Sequence, residues 1–120
     1  MTKEQFLLIK LTEECQEVAQ RALKQVQFGA DESQAKSGLI SANDKTSAEI
    51  HLTNAQRLTG ELVDLTVLVQ LLEENGFLGI EPRPNGDEYV KIRAEKVRKL
   101  NKYLAYSRRL GQIDGDWIIE

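Results

Sequence analysis

An all-α fold is predicted by three features of the sequence. Long stretches free of Gly and Pro carry apolar residues at steps of three and four; these stretches are bounded by capping and stop residues; and runs of alternating β-branched residues are absent. With 120 residues the chain is long enough for one core and not for two, so a single domain over 1–120 is expected.

The first helix is expected over residues 2–28. Thr2 and Gln5 form a capping-box pair, and no Gly or Pro interrupts before Gly29. Leu8, Leu11, Cys15, Val18, Ala22 and Val26 make its stripe, widened by Leu7, Ala19 and Leu23. Residues 29–52 are polar and punctuated by Gly29, Gly38 and the Ser41-Ala42-Asn43-Asp44 cluster. This stretch reads as a polar insertion, with a short helix near 31–36 and a Thr46/Glu49 cap as options; its length points to a functional role or to packing in an assembly.

The next helix is expected over 53–75, capped by Thr53 or Asn54 and stopped by Asn75-Gly76. Leu58, Leu62, Leu65, Val69 and Leu72 form one stripe, while Val63, Val67, Leu68 and Leu71 fill most of the remaining circumference. A helix apolar nearly all round is buried on more than one side, and in so small a chain a second subunit is the natural cover. A turn-rich connector over 76–86 contains Gly79, Pro82 and Pro84. Asp87 then caps a last helix reaching about residue 109, with Val90, Val97, Leu100 and Leu104 on one face. The tail over 110–120 ends in Trp117, Ile118 and Ile119, an apolar patch expected to pack on a neighbour.

Composition excludes several chemistries. The chain has 41% hydrophobic and 29% charged residues, a formal net charge of −3, one Cys and one His. No apolar run is long enough to span a bilayer, and no basic segment followed by an apolar one opens the chain, so a membrane or secreted protein is not expected. Lone Cys15 and lone His51 leave no intrachain disulfide, thiolate zinc site, HExxH pair or multi-histidine centre, so any metal must be held by oxygen. Residues 1–90 carry 8 basic and 15 acidic side chains, net −7, whereas residues 91–120 carry 8 basic and 4 acidic ones, net +4. That asymmetry suits metal ligands in the body and phosphate ligands in the last helix; a solvated basic face is the plainer alternative. The overall acidity argues against nucleic acid as a partner.

The carboxylates demand an explanation. Glu14 and Glu17 lie about 60° apart on neighbouring turns of one helix, where like charges repel unless a cation lies between them. Glu61 and Asp64 repeat the spacing in a strongly apolar helix, and Asp64 is the only charge between Leu62 and Leu72. An unpaired carboxylate buried there costs several kcal/mol, of the order of a small domain's stability. An Arg or Lys partner, a shared proton or a metal must compensate, and Arg57, one turn before Glu61, is the local ion-pair candidate. Two such helices facing each other surround a point with four acids, a donor set suited to Mg²⁺, Mn²⁺ or Ca²⁺. Lys96, Lys99 and Lys102 are then available to neutralise phosphate oxygens beyond the metals.

Glu13-Glu14-x-x-Glu17 followed by Glu61-x-x-Asp64 resembles the signature of the MazG-type all-α nucleoside triphosphate pyrophosphohydrolases, a superfamily that includes the dimeric dUTPases and dCTP pyrophosphatases. The resemblance covers the first and third segments well and the last helix loosely. It implies a MazG-like helical bundle completed by dimerisation, as a dimer or a dimer of dimers with the active site near the subunit interface. It also implies Mg²⁺, with Mn²⁺ as a substitute, held by Glu14, Glu17, Glu61 and Asp64. Glu13 matches the first acid of the motif, a residue behind the ligands or a base that orients water. Two departures stand out: the interval from Glu17 to Glu61 is longer than in compact members, and the basic Lys-x-x-x-Asn-type element is matched only approximately by Arg98, Lys99, Asn101, Lys102 and Tyr103.

The activity implied is hydrolysis of a nucleoside triphosphate to the monophosphate and pyrophosphate, sanitising or adjusting the nucleotide pool in the cytoplasm of a bacterial or phage-infected cell. Glu17 or Glu13 is the expected water-activating base, with His51 as an alternative, and Lys96, Lys99, Lys102 and Asn101 are the expected phosphate contacts. Phe28, Tyr103 and Tyr106 are candidates for stacking on the base, although aromatics at helix ends are more often packing. The alternative is a non-catalytic helical oligomerisation module in which Arg57 neutralises Glu61; a metal-stabilised bundle without turnover is a further one.

Overall fold

A computed structural model describes residues 1–34, 47–79 and 85–120. The described chain is mostly helical, in keeping with the all-α expectation, and its β-type pairing among the described residues is an isolated antiparallel bridge between Ser33 and Thr53. Among the described residues the helices are, in order, α1 (Lys3–Phe28), α2 (Ser47–His51), α3 (Asn54–Glu74) and α4 (Gly86–Arg109). The chain forms two compact units, Met1–Ile80 and Glu81–Glu120.

In the first unit, α1 opens on the expected capping box. Thr2 Oγ1 accepts from the Gln5 amide at 3.2 Å and Gln5 Oε1 from the Thr2 amide at 2.9 Å, which satisfies two otherwise orphan donors. The helix stops at Gly29, whose φ of 92° is costly for a residue with a Cβ. Thr53 and Gln56 repeat the same box at the start of α3. The stretch following α1 finishes that cap. Glu32 C=O accepts from the Asn54 amide at 2.9 Å, Ala30 C=O from the Ala55 amide at 3.0 Å, and Gly29 C=O from Asn54 Nδ2 at 2.9 Å. The start of the polar insertion is therefore a brace that joins the end of α1 to the beginning of α3 and makes the two helices an antiparallel pair. Residues 35–46, where most of the optional short helix and Thr46 fall, lie outside the described residues.

The buried line differs from the predicted stripes. On α1 the less exposed positions are Leu7, Lys10, Leu11, Glu14, Val18, Arg21 and Gln25, whereas Cys15, Ala22 and Val26 are exposed. On α3 they include Leu58, Glu61, Leu65, Leu68 and Leu72, whereas Leu62 is 44% exposed. Lys10 apart, both lines advance by alternating steps of three and four, the spacing of a knobs-into-holes seam between nearly antiparallel helices. Leu72 is fully buried, and Ile50 on α2 and Leu68 are nearly so. Polar Glu14, Arg21 and Glu61 thus occupy seam positions that a purely apolar stripe would have given to neighbours.

In the second unit, Asn85 and not Asp87 caps α4, its Oδ1 accepting from the Glu88 amide at 2.9 Å; Asp87 lies within the first turn. The tail turns at Gly111 and folds back along its own helix. Asn101 exchanges two hydrogen bonds of 2.9 Å with the Ile119 backbone, Arg108 donates to the Gly115 and Trp117 carbonyls at 3.0 and 2.7 Å, and Arg93 to the Glu120 carbonyl at 2.8 Å. Polar side chains of α4 thus hold the tail by its backbone, while the apolar side chains of Trp117 and Ile118, expected to pack on a neighbour, stay exposed.

Candidate functional site

The antiparallel seam sets the register of the acids. Going back along α1 from Gly29 runs forward along α3 from Asn54, and this brings the turn of Glu14 and Glu17 beside the turn of Glu61 and Asp64. Glu14, Glu17 and Glu61 each place one carboxylate oxygen within 4.8 Å of the others, a spacing that small side-chain adjustments can close onto a single ion. Asp64 is exposed and outside this threesome, but its charge acts on Glu14 and so belongs to the same side of the helix pair.

Crowding shows in the proton affinities. The Glu14 carboxyl is held above its ordinary value by burial first, then by the charges of Glu17, Asp64 and Glu13, with Lys10 opposing. Glu61 is raised by burial, by a side-chain hydrogen bond with Glu17, and by the charges of Glu17 and Glu14, with Arg21 opposing. A hydrogen bond between two carboxyls requires one proton between them, as in other close acid pairs. Glu14 Oε2 is buried and has no hydrogen-bond partner among the described residues. An orphan acceptor on an acid that feels the charges of other acids is the kind of atom that a cation satisfies.

The expected local ion pair is replaced by another. Arg57 donates from Nη2 to the Glu49 carbonyl, tying α2 to α3, while the guanidinium beside Glu61 is that of Arg21, with Nε 3.9 Å from Oε1. Arg21 stands four residues after Glu17 and seven after Glu14, a spacing that places it on the same face of α1.

The other candidates are not among the converging acids of the first unit. Glu13 pairs with Lys10 at 2.8 Å on the exposed side of α1. His51 is exposed at the end of α2. Phe28 is exposed at the end of α1. Lys96, Lys99, Asn101, Lys102 and Tyr103 all belong to the second unit: Lys96, Lys102 and Tyr103 are exposed, Lys99 lies 3.9 Å from Glu95, and the Asn101 amide is spent on the tail. Arg98 is likewise engaged, forming two hydrogen bonds of 2.8 Å to Glu95.

On its outward side, α3 presents an open apolar hollow of about 310 Å³ lined by Thr59, Leu62, Val63, Thr66, Val67 and Gln70. No helix among the described residues is long and apolar enough to cross a membrane. In comparisons with known proteins, no family model, no curated protein and no solved structure matches the chain.

Proposed function

We propose that the protein is a Mg²⁺-dependent nucleoside triphosphate pyrophosphohydrolase, cleaving between the α and β phosphates to release pyrophosphate. The observation that carries this reading is the convergence of Glu14, Glu17 and Glu61 from two antiparallel helices, with Asp64 alongside. The all-oxygen donor set and the orphan Glu14 Oε2 fit a hard divalent ion, Mg²⁺ with Mn²⁺ as a substitute. Glu14, Glu17, Glu61 and Asp64 are the residues that would hold it. When bound, such an ion neutralises charge on phosphate oxygens and makes a bound water more acidic.

The protein's own groups do the rest. Glu17 is the most exposed of the three converging acids, which supports it as the group that accepts a proton from an attacking water. Glu13, paired with Lys10, steadies the outer edge and is the less favoured base. Lys96, Lys99 and Lys102 remain phosphate-contact candidates, and Phe28 and Tyr103 remain base-stacking candidates. The outward face of α3 supports a homodimer, and a dimer of dimers is compatible with further apolar surface elsewhere. The cytoplasm, where nucleoside triphosphates are abundant, is the setting that goes with this reading.

The test is a panel of canonical and modified deoxynucleoside triphosphates with Mg²⁺ or Mn²⁺. Pyrophosphate and the matching monophosphate are expected from at least one, and none in EDTA. Glu61→Gln should lower turnover by about a hundredfold or more with helical circular dichroism unchanged. A panel without product under either metal rejects the enzyme reading and leaves the helical interaction module.

A further inference from the structure

Arg21 lies beside Glu61 as an ion pair without a hydrogen bond. Its Nε lies 3.9 Å from Glu61 Oε1, both side chains are only partly exposed at 25% and 20%, and among the described residues the guanidinium donates no hydrogen bond. A guanidinium offers five N–H donors in a fork that matches two phosphate oxygens. Two nearby bases are otherwise engaged, Lys10 by Glu13 at 2.8 Å and Arg57 by the Glu49 carbonyl. Arg21 partly neutralises Glu61, and at 3.9 Å this contact leaves the fork of the guanidinium open to a second anion.

Resting on the triphosphate-hydrolase reading of this site, we propose that Arg21 both competes with the divalent ion for Glu61 and binds a phosphate oxygen of the substrate. The ion and the triphosphate then favour each other. Phosphate draws the guanidinium away from Glu61, which frees that carboxylate for the ion, and by linkage the ion tightens the phosphate contact. The triphosphate chain, common to all candidate substrates, is the part of the ligand that Arg21 would read.

Arg21→Met and Arg21→Lys test this with binding alone. Mn²⁺ affinity is measured by electron paramagnetic resonance without nucleotide, and the affinity for inorganic tripolyphosphate by calorimetry at saturating Mn²⁺. Arg21→Met should bind Mn²⁺ about threefold more tightly and tripolyphosphate about tenfold more weakly. Arg21→Lys, which keeps the charge and loses the fork, should leave Mn²⁺ affinity near wild type and still weaken tripolyphosphate. Opposite signs in the methionine variant are the signature, since a merely structural arginine weakens both or neither. Unchanged tripolyphosphate binding in both variants overturns the proposal, as does weaker Mn²⁺ binding in Arg21→Met with its helical content intact. If wild-type protein binds no Mn²⁺ and releases no pyrophosphate, the hydrolase reading itself has failed; if wild type does both and the variants match it, only the role of Arg21 has.

Discussion

Folding raises the proton affinity of Glu14 and Glu61, because burial and neighbouring carboxylates oppose their charge. A carboxyl whose proton affinity is raised by folding adds stability at low pH, and this is lost as pH climbs from the ordinary value of 4.5 through the raised one. EDTA-treated protein is therefore expected to melt at lower temperature as pH rises from about 4.5 towards neutrality, and added Mg²⁺ should restore the loss at neutral pH. Glu61→Gln should flatten that slope and remove most of the Mg²⁺ response. Thermal melts over a pH series, with and without Mg²⁺, check both; a melting temperature that climbs over the same interval and ignores Mg²⁺ counts against the cluster. Glu95 behaves oppositely, since hydrogen bonding to Arg98 lowers its proton affinity, but that pair is exposed and its effect is small. At this scale the acids were legible because the i, i+3 spacing repeats in two helices. The exchange of Arg57 for Arg21 was not, because positions on one helix do not reveal which residue of another helix lies opposite.

Helix pairing, rather than helix formation, sets the stability of the first unit. Leu72→Ala removes a fully buried side chain from the seam and should cost about 2–5 kcal/mol. Thr53→Ala removes the α3 cap and should cost about 1 kcal/mol. Val26→Ala, at an 84% exposed position of the predicted stripe, should stay within about 0.5 kcal/mol. Urea melts rank the three, and equal losses at Leu72 and Val26 would contradict the seam. In the second unit, Asn101→Ala removes both bonds to Ile119, so the tail should loosen, with a red shift and easier quenching of Trp117 fluorescence. The Thr2–Gln5 capping box, Thr53 as one of two candidate caps and the stop at Gly29 were readable, being local chemistry within a few residues. The seam was not, because α3 is apolar around most of its circumference and a pattern without contrast has no unique inner face. The folded-back tail was missed for a related reason. Its bonds run from polar side chains to backbone carbonyls and amides, which leave no hydrophobic periodicity to detect.

At the scale of the molecule, the described residues bury few apolar side chains: Ile50, Leu68, Leu72 and Leu104 are below a tenth exposed. Leu62, Val63 and Val67 stay 44%, 56% and 49% exposed on one face of α3, around its open hollow. Each costs free energy in water in proportion to its apolar area, and contiguous patches of this kind mark interfaces more often than solvated surface. A second copy of the chain is a fitting cover, because a two-fold contact brings the same apolar face to both sides and needs no other partner. The acids of the candidate site come from the same helix pair, so pairing through α3 would also hold that site's second wall in place. Light scattering over a concentration series is expected to give a dimer mass or a multiple of it. Val63→Glu combined with Val67→Glu should shift it to monomer, because each new carboxylate would be desolvated opposite its own copy, whereas Val26→Glu on α1 should not. Mn²⁺ affinity should fall with dissociation if the dimer braces the site and persist in the monomer if the helix pair suffices. A wild-type chain that stays monomeric at high concentration would remove the dimer from this account while leaving the carboxylate cluster to be judged by its metal binding alone.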